Sequence, residues 1–195
     1  MKKTYKVNDI FYSLQGEGHN AGRAAVFVRF SGCNLSCDFC DTDFSDYREM
    51  TGTEILEGLA NLTKLCNLSP IVVLTGGEPT LQVDEGLINL LHEAGFPFIA
   101  MESNGTHEPP ANLDWLTVSP KCKPAVKECS ELKVLFDGKA PVLDYGVKAK
   151  YYYLQPLDTG NADINREITA KCVEYIKRHP QWILSLQMHK IINIK

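Results

Sequence analysis

The sequence predicts an α/β fold in which a parallel sheet is rolled into a partial, open barrel of about six strand–helix units. Apolar, β-branched runs alternate along the chain with amphipathic helical stretches or long loops. Polar clusters follow several of these runs, as expected if the carboxyl ends of parallel strands form one active edge. The 195 residues are too few for a closed barrel, which typically needs about 250. We therefore expect a single domain over residues 1–195, with its open side closed by the N- and C-terminal segments.

Each predicted element has a local reason. The run at 24–30 is apolar and β-branched, and Ser31 and Gly32 break it. The run at 71–75 is continuously apolar, which is typical of a buried parallel strand. The remaining predicted strands are residues 96–101, 115–119, 132–136, 151–155 and 182–186.

Three stretches have helical periodicity. Residues 53–65 carry apolar side chains near helical spacing, with Thr53 as a candidate N-cap. Residues 83–94 place Leu87 and Leu91 on one face. Residues 161–178 form the longest predicted helix, which Pro180 prevents from continuing.

Composition and charge exclude several classes of protein. A net charge of −4 gives no footprint for non-specific nucleic-acid binding. No apolar run reaches the roughly 18 residues of a transmembrane helix, and the first residues lack the apolar core of a signal peptide. Seven cysteines without an export signal indicate a reducing cytoplasm and metal chemistry. We expect a cytoplasmic protein with neither nucleic-acid nor membrane partners.

Three cysteines follow the strand at 24–30 within a short loop. Cys33 and Cys37 are separated by three residues, and Cys37 and Cys40 by two. A structural zinc site needs four protein ligands, and an electron-transfer [4Fe–4S] cluster takes four cysteines. Three thiolates leave one iron open for a small molecule, and this spacing resembles the radical S-adenosylmethionine (SAM) enzymes. The alternative is a zinc site with a distant fourth ligand.

The other four cysteines are scattered along the chain. Cys66 and Cys172 lie in helix-like stretches, so we expect both to be small core residues. Cys122 and Cys129 are too few to ligate a second cluster.

Polar residues near the ends of the first strands are candidate ligands for a substrate. Gln15 can donate and accept hydrogen bonds while ionised Glu17 only accepts, which suits the edge of a heterocycle as well as a solvated turn. Arg29 lies in an apolar run, where it either clamps a carboxylate or forms an internal salt bridge. Thr42, two residues after Cys40, offers a hydroxyl that suits Mg²⁺.

A glycine pair marks the end of the second predicted strand. Gly76 and Gly77 directly follow residues 71–75 and leave room for a ligand, while Glu78 or the backbone can take the amino group of SAM. This segment resembles the GGE segment of radical SAM enzymes. It supports the interpretation of the cysteine loop.

A narrower resemblance extends over nearly the whole chain. The chain resembles the 7-carboxy-7-deazaguanine synthase family, in motifs at residues 11–18, 40–42, 75–79, 102–106, 119–121, 154–157 and 187–190. Ser103 stands where threonine is expected between glutamate and asparagine, and no insertion lengthens the cysteine loop. The resemblance implies a TIM-like radical SAM fold. It also implies conversion of 6-carboxy-5,6,7,8-tetrahydropterin to 7-carboxy-7-deazaguanine with loss of ammonia, in the pathway to queuosine and other 7-deazapurines.

The resemblance also implies site residues, with no catalytic side chain beyond the cluster and the SAM-derived radical. Cys33, Cys37 and Cys40 hold a [4Fe–4S] cluster, and Thr42 supplies a ligand to Mg²⁺. The implied SAM site comprises Phe39, Asp41, Gly77, Glu78, Ser103, Ser119, Pro120, Lys121 and Gln155. The implied substrate site comprises Leu14, Gln15, Gly16, Glu17, Arg29, Thr75, His189 and Lys195. We expect a pterin substrate, a flavodoxin- or ferredoxin-type reductant and a homodimer.

Two other functions are compatible with the cysteine loop. A radical SAM activase that makes a glycyl radical on a partner protein shares the cluster motif but does not need Gln15, Arg29 and Thr42. Turnover of the tetrahydropterin distinguishes it from a synthase. A non-enzymatic zinc or iron–sulfur module is the other alternative, which metal and sulfide analysis of anaerobically purified protein resolves.

Overall fold

A computed structural model describes residues 3–40, 43 and 45–195 of the chain. In this described part the strands form one nine-stranded open sheet, in the order β3-β1-β2-β4-β5-β6-β7-β8-β9. The predicted open α/β fold is confirmed. The strands are β1 Thr4–Leu14, β2 Ala24–Phe30, β3 Arg48–Thr51, β4 Ile71–Gly76, β5 Ile99–Ser103, β6 Trp115–Val118, β7 Glu128–Phe136, β8 Lys148–Pro156 and β9 Trp182–Leu184.

The strands from β2 to β9, with β3 excepted, are all parallel neighbours. β1 pairs antiparallel with β2, and β3 pairs antiparallel with β1 at the edge. The sequence analysis predicted neither β1 nor β3, because their mixed polar and apolar residues lack the apolar runs that marked strands such as β2 and β4. β1 is central to the site, since its carboxyl end carries the segment from Gln15 onward.

The helices are α1 Gly52–Thr63, α2 Glu85–Glu93, α3 Ala162–Arg178 and α4 Met188–Ile191, with a 3-10 turn at Pro79–Leu81. The predicted N-cap at Thr53 is wrong. Thr51 caps α1, because its hydroxyl accepts from the Glu54 N–H while the Glu54 carboxylate accepts from the Thr51 N–H. Asp84 caps α2 and Asn161 caps α3 in the same way, through side-chain oxygens that accept helix N–H groups.

Only one of the two cysteines that were predicted to be small core residues is buried in the core. Cys172 lies in α3 and is fully buried, as predicted. Cys66 lies beyond the end of α1 and is only half-buried, and its thiol donates to the Tyr12 hydroxyl at 3.5 Å. The prediction for Cys66 is therefore wrong, since α1 ends before the residue reaches the core.

Alternation along the strands gives the sheet two different faces. The outer face packs against the helices through residues such as Val26, Val28 and Phe30. The inner face is apolar at the amino ends of the strands, where it is built by Phe11, Ala25, Phe27, Ile71, Val73, Ala100 and Trp115. The same parity continued toward the carboxyl ends brings Arg29, Thr75, Glu102, Lys133 and Gln155 to the inner face. The fold thus builds a polar site above an apolar floor.

No helix in the described residues is both long enough and apolar enough to cross a lipid bilayer.

Candidate active site

A cavity of about 510 Å³ opens at the carboxyl ends of the parallel strands. It brings together most of the site residues predicted from the sequence. Those lining it are Cys33, Cys37, Cys40, Phe39, Gly77, Ser103, Ser119, Lys121, Gln155, Leu14, Gln15, Gly16, Glu17, Arg29, Thr75, His189 and Lys195. Glu78 and Pro120 are buried nearby and do not line it. Asp41 and Thr42 lie outside the described residues.

The cysteine loop forms one wall of this cavity. The Cys40 N–H donates to the Cys37 carbonyl at 3.1 Å, and the Leu35 N–H donates to Cys33 Sγ at 3.4 Å. Burial raises the pKa of the Cys37 thiol; Lys121 opposes this shift, while Cys33 and Cys40 add to it. The three sulfurs therefore lie close enough to interact electrostatically.

The donor set fits a cluster with an open iron. Three thiols face one cavity, and among the described residues the other four cysteines do not line it. Within the same described part, no three His, Cys, Asp or Glu side chains form a ready-made site for a single metal ion. Cys33, Cys37 and Cys40 would hold the cluster, which would supply an iron without a protein ligand for binding SAM.

The glycine pair packs backbone against backbone beside the cysteine loop. Gly76 has φ +118°, and a Cβ on it would lie 2.2 Å from the Phe30 carbonyl oxygen. A Cβ on Gly77 would lie 2.0 Å from the Gly32 carbonyl oxygen. The Gly77 N–H donates to Phe30 and the Glu78 N–H to Gly32, both at 2.9 Å. Glycine is required here so that the β4 exit can join the start of the cysteine loop.

Glu78 lies behind the cavity wall and is completely buried. Its carboxylate accepts from the Thr80 N–H and hydroxyl at 3.1 and 2.6 Å. It also accepts from the Ser103 hydroxyl at 2.8 Å and the Asn104 N–H at 2.7 Å. The Asn104 amide in turn donates to Asn34 in the cysteine loop at 3.0 Å. Glu78 therefore ties the exits of β4 and β5 to the cluster wall.

Glu102 is a cavity residue that the sequence analysis did not assign to the site. The Gln15 amide donates to one of its oxygens at 3.0 Å, and the Thr75 hydroxyl donates to the other at 2.8 Å. The position of Glu102 could have been found from the alternation of side chains along β5, because Glu102 follows inward-facing Ala100 by two residues. Two residues of the predicted substrate site thus orient a carboxylate in the cavity.

Arg29 lies half-buried on β2 with its guanidinium 5.2 Å from the centre of the Phe11 ring. Its register partner on β4 is Thr75. Of the two roles left open by the sequence, an internal salt bridge is not found, because Arg29 makes no ion pair with any residue that the structure describes. The guanidinium remains available to an anionic ligand.

Glu17 and Lys133 form a buried ion pair in the cavity. Burial opposes ionisation of Glu17, but the Lys133 ammonium and the Gln187 amide hold its pKa at about 2. Burial also disfavours the Lys133 cation, but the carboxylates of Glu17 and Glu102 raise its pKa above the ordinary value. Burial and repulsion from Lys133 lower the pKa of Lys121 to about 8. Glu17 thus directs both carboxylate oxygens at protein groups.

The C-terminal segment, residues 187–195, covers the open side of the cavity. Its Met188 N–H donates to the Gly16 carbonyl at 2.9 Å. His189 packs so closely on Gly16 that a Cβ there would lie 2.2 Å from the imidazole Nδ1. Lys195 is tied to β1, since its ammonium pairs with Asp9 at 2.5 Å and its carbonyl accepts from the Ser13 hydroxyl at 2.6 Å. The C-terminal segment therefore lines the cavity and is anchored to β1 and to Gly16, whereas the N-terminal residues Thr4–Leu14 form a strand within the sheet.

Comparison with known proteins identifies the family. Residues 27–119 match the Radical SAM superfamily. The chain is 44% identical to 7-carboxy-7-deazaguanine synthase from Bacteroides thetaiotaomicron, over 97% of this chain and 98% of that protein. The chain belongs to the 7-carboxy-7-deazaguanine synthase family. The synthase of the same name from Burkholderia multivorans is 42% identical over 98% of this chain and 99% of its own length.

A solved structure agrees with this family assignment. The crystal structure of QueE from Escherichia coli resembles this fold with a TM-score of 0.71 and 26% identity, over 95% of each chain. The resemblance identified from the sequence motifs is therefore confirmed. As a radical SAM enzyme, the chain works with a [4Fe–4S] cluster and SAM.

Proposed function

We propose that this enzyme converts 6-carboxy-5,6,7,8-tetrahydropterin to 7-carboxy-7-deazaguanine with loss of ammonia, in 7-deazapurine biosynthesis. The observation that carries the proposal is the meeting of the three-cysteine loop with Arg29, Gln15 and Glu102 in one cavity. The conversion is redox-neutral and breaks a carbon–nitrogen bond, so SAM can be regenerated in each turnover.

The cluster and SAM would occupy the wall beside Cys33, Cys37 and Cys40. When bound there, they supply the 5′-deoxyadenosyl radical that abstracts a hydrogen atom from substrate. Gly77 lies against the cysteine loop and offers backbone at close range. Lys121 is held by the Ser119 carbonyl and hydroxyl at 2.8 and 2.7 Å. We assign the remaining SAM contacts to described residues in or beside the cavity, namely Phe39, Ser103, Ser119, Pro120, Lys121 and Gln155. We also assign Asp41 to the SAM site, from its sequence position directly after Cys40.

The pterin would lie on the opposite side of the cavity. Arg29 offers a planar fork of donors to its carboxylate. Glu102, whose oxygens are oriented by Gln15 and Thr75, accepts from the amino and amide edge of the ring. Glu17 and Gly16 form the neighbouring wall, together with Leu14 and His189. Recognition at both ends places the carbon that bears the carboxylate at a fixed distance from the cluster wall.

The C-terminal segment would exclude water from the bound substrate. His189 and Lys195 both line the cavity while the segment is anchored to Gly16 and β1. A closed site protects a substrate radical from side reactions and strengthens the electrostatic contacts within it.

Mg²⁺ is a further part of the proposal. Mg²⁺ usually keeps several waters and few protein ligands, so one hydroxyl with substrate oxygens and water could complete its shell. Thr42 is the proposed protein ligand, two residues beyond Cys40. The ion would orient the substrate and stabilise charge that develops during ring contraction.

The enzyme needs an electron donor for its cluster. We propose a flavodoxin- or ferredoxin-type protein for this role, and a homodimeric, cytoplasmic enzyme.

The test is an anaerobic incubation of the reconstituted protein with dithionite, SAM and the carboxytetrahydropterin, followed by mass spectrometry. We expect 7-carboxy-7-deazaguanine and one equivalent of ammonia per product. The control is a tetrahydropterin without the carboxylate, from which we expect no contracted ring. Cleavage of SAM without either product would overturn the assignment and favour an activase, while bound zinc without sulfide would favour a structural module.

A further inference from the structure

Lys133 is a buried cation that the reaction described above does not use. It lies on the inner face of β7, and its side chain is only 6% exposed. Its ammonium pairs with Glu17 in the β1–β2 loop, which comprises residues 15–23. The other Glu17 oxygen accepts from the Gln187 amide at 3.0 Å, at the start of the C-terminal segment. Three parts of the chain that are distant in sequence thus meet at one carboxylate.

The same two segments make further contacts around this carboxylate. The Gly18 N–H donates to the Ser185 hydroxyl at 3.0 Å, and Ser185 donates to Gln155 at 2.9 Å. Met188 and His189 contact Gly16 directly. The β1–β2 loop and the C-terminal segment therefore form one wall, which is attached to the barrel through Lys133 and Ser185. The His19 N–H, which donates to the Glu131 carboxylate at 2.9 Å, and the contacts of Lys195 with β1 add further attachments.

Lys133 is the main counter-ion of the buried Glu17 carboxylate, so its loss would leave that charge largely uncompensated. A buried carboxylate without a counter-ion costs several kcal/mol, so removing one partner of such a pair is far more disruptive than removing both. Without Lys133, Glu17 must either take up a proton or move its carboxylate toward water. The second course carries away the partner of Gln187.

We propose that Lys133 is a positioning residue, which neutralises Glu17 and thereby holds the β1–β2 loop and the C-terminal segment closed over the cavity. The expected effect on pterin binding rests on the proposed function. The closure of the two segments over the cavity does not rest on it, because closure concerns only contacts within this chain.

The charges that face Glu17 fix its response to pH. Lys133 makes the largest favourable electrostatic contribution to its carboxylate, and His189 and Lys121 also interact with it. Glu102 and Glu131 lie in the same network as Lys133. With Lys133 present, the pKa of Glu17 is about 2. Without Lys133, burial dominates and raises this pKa, so that mild acid neutralises Glu17 and restores the bond to Gln187.

The test compares Lys133→Met with the double variant Lys133→Met/Glu17→Gln, both loaded with cluster. Hydrogen exchange of residues 187–195 is followed by mass spectrometry at pH 5 and pH 8 and corrected for intrinsic rates. We expect Lys133→Met to lose about tenfold protection at pH 8 and to regain most of it at pH 5. The double variant, which lacks the Glu17 charge that Lys133 neutralises, should keep protection within about threefold of the parent at both pH values. Lys171→Met, on the exposed side of α3, is the matched control and should match the parent.

Parent-like protection in Lys133→Met, or a double variant no better protected than Lys133→Met, would overturn the proposal. If Lys133→Met does not fold, the double variant alone tests the proposal. Loss of exchange protection at residues 187–195 in the double variant would contradict neutralisation of Glu17 as the role of Lys133. In turnover assays we expect Lys133→Met to raise the KM for the pterin more than it lowers kcat. Correct exchange results without any pterin turnover would refute the proposed substrate and leave the role of Lys133 intact.

Discussion

Glu78→Gln distinguishes two possible roles of Glu78, a direct ligand of SAM and a residue that holds the neighbouring loops in place. It removes a charge with little change in volume. In the parent, one carboxylate oxygen accepts from the Thr80 N–H and from the hydroxyls of Thr80 and Ser103. The other oxygen accepts from the Asn104 N–H at 2.7 Å. Hydroxyls can rotate, but the two backbone N–H groups cannot, so the amide of glutamine must face one of them donor to donor.

The cost follows from this geometry. A buried donor left without an acceptor costs about 1–3 kcal/mol, and hydrogen bonds to a charged group contribute more than neutral ones. We expect a loss of about 3 kcal/mol in the free energy of unfolding. At about 2–4 °C per kcal/mol for a chain of this size, the melting temperature should fall by roughly 6–12 °C.

Thermal unfolding of the anaerobic, cluster-free chain measures this loss. Glu57→Gln removes the same charge from an exposed position on α1 and should change stability by less than about 0.5 kcal/mol. SAM affinity of the cluster-loaded variant is measured in parallel. A melting temperature within about 2 °C of the parent would refute the structural role of Glu78. Lost SAM affinity at unchanged stability would instead make Glu78 a direct ligand.

Four further predictions concern the cavity. Arg29→Lys should weaken binding of the carboxytetrahydropterin at least about tenfold by calorimetry, because an ammonium cannot reproduce the guanidinium fork, and should leave a pterin without the carboxylate unaffected. Thr42→Ala should preserve SAM cleavage but abolish the response of product formation to added Mg²⁺, and a parent-like response would transfer that role to another residue. Cys40→Ala should eliminate SAM cleavage, whereas Cys122→Ala should retain the cluster absorbance and sulfide content of the parent. Burial raises the pKa of Glu131 to about 7, so its stabilising contribution is complete below about pH 4.5 and is lost as pH rises through 7. Glu131→Gln should therefore equal the parent at pH 4.5 in urea unfolding and exceed it by up to about 3 kcal/mol at pH 8.

The predictions from sequence that succeeded were those carried by local spacing. The cysteine loop and the glycine pair are each set by neighbouring residues, and both line the cavity as expected. The parallel strands were recognisable because each contains a short run rich in apolar, β-branched or aromatic residues, most clearly in β2 and β4. The cap of α1 could also have been found, since Thr51 and Glu54 have the spacing of a capping box and Thr53 does not.

The features that the sequence analysis missed depend on tertiary contacts. Glu102 and Lys133 acquire their roles from strand parity and from partners 87 and 116 residues away along the chain. β1 is half polar and is defined by its pairing with β2 and β3. Glu78 has the residue type of a SAM ligand, but only the burial of its carboxylate shows that it holds neighbouring loops together.

In the proposed reaction, the cavity directs a SAM-derived radical to the ring carbon that bears the substrate carboxylate. The most direct test of this step uses carboxytetrahydropterin that carries deuterium at that carbon, under anaerobic turnover with SAM. We expect deuterium in the 5′-methylene of recovered SAM or in the methyl group of 5′-deoxyadenosine, because the abstracted atom passes through this position. Full product formation with no deuterium in either molecule would contradict it.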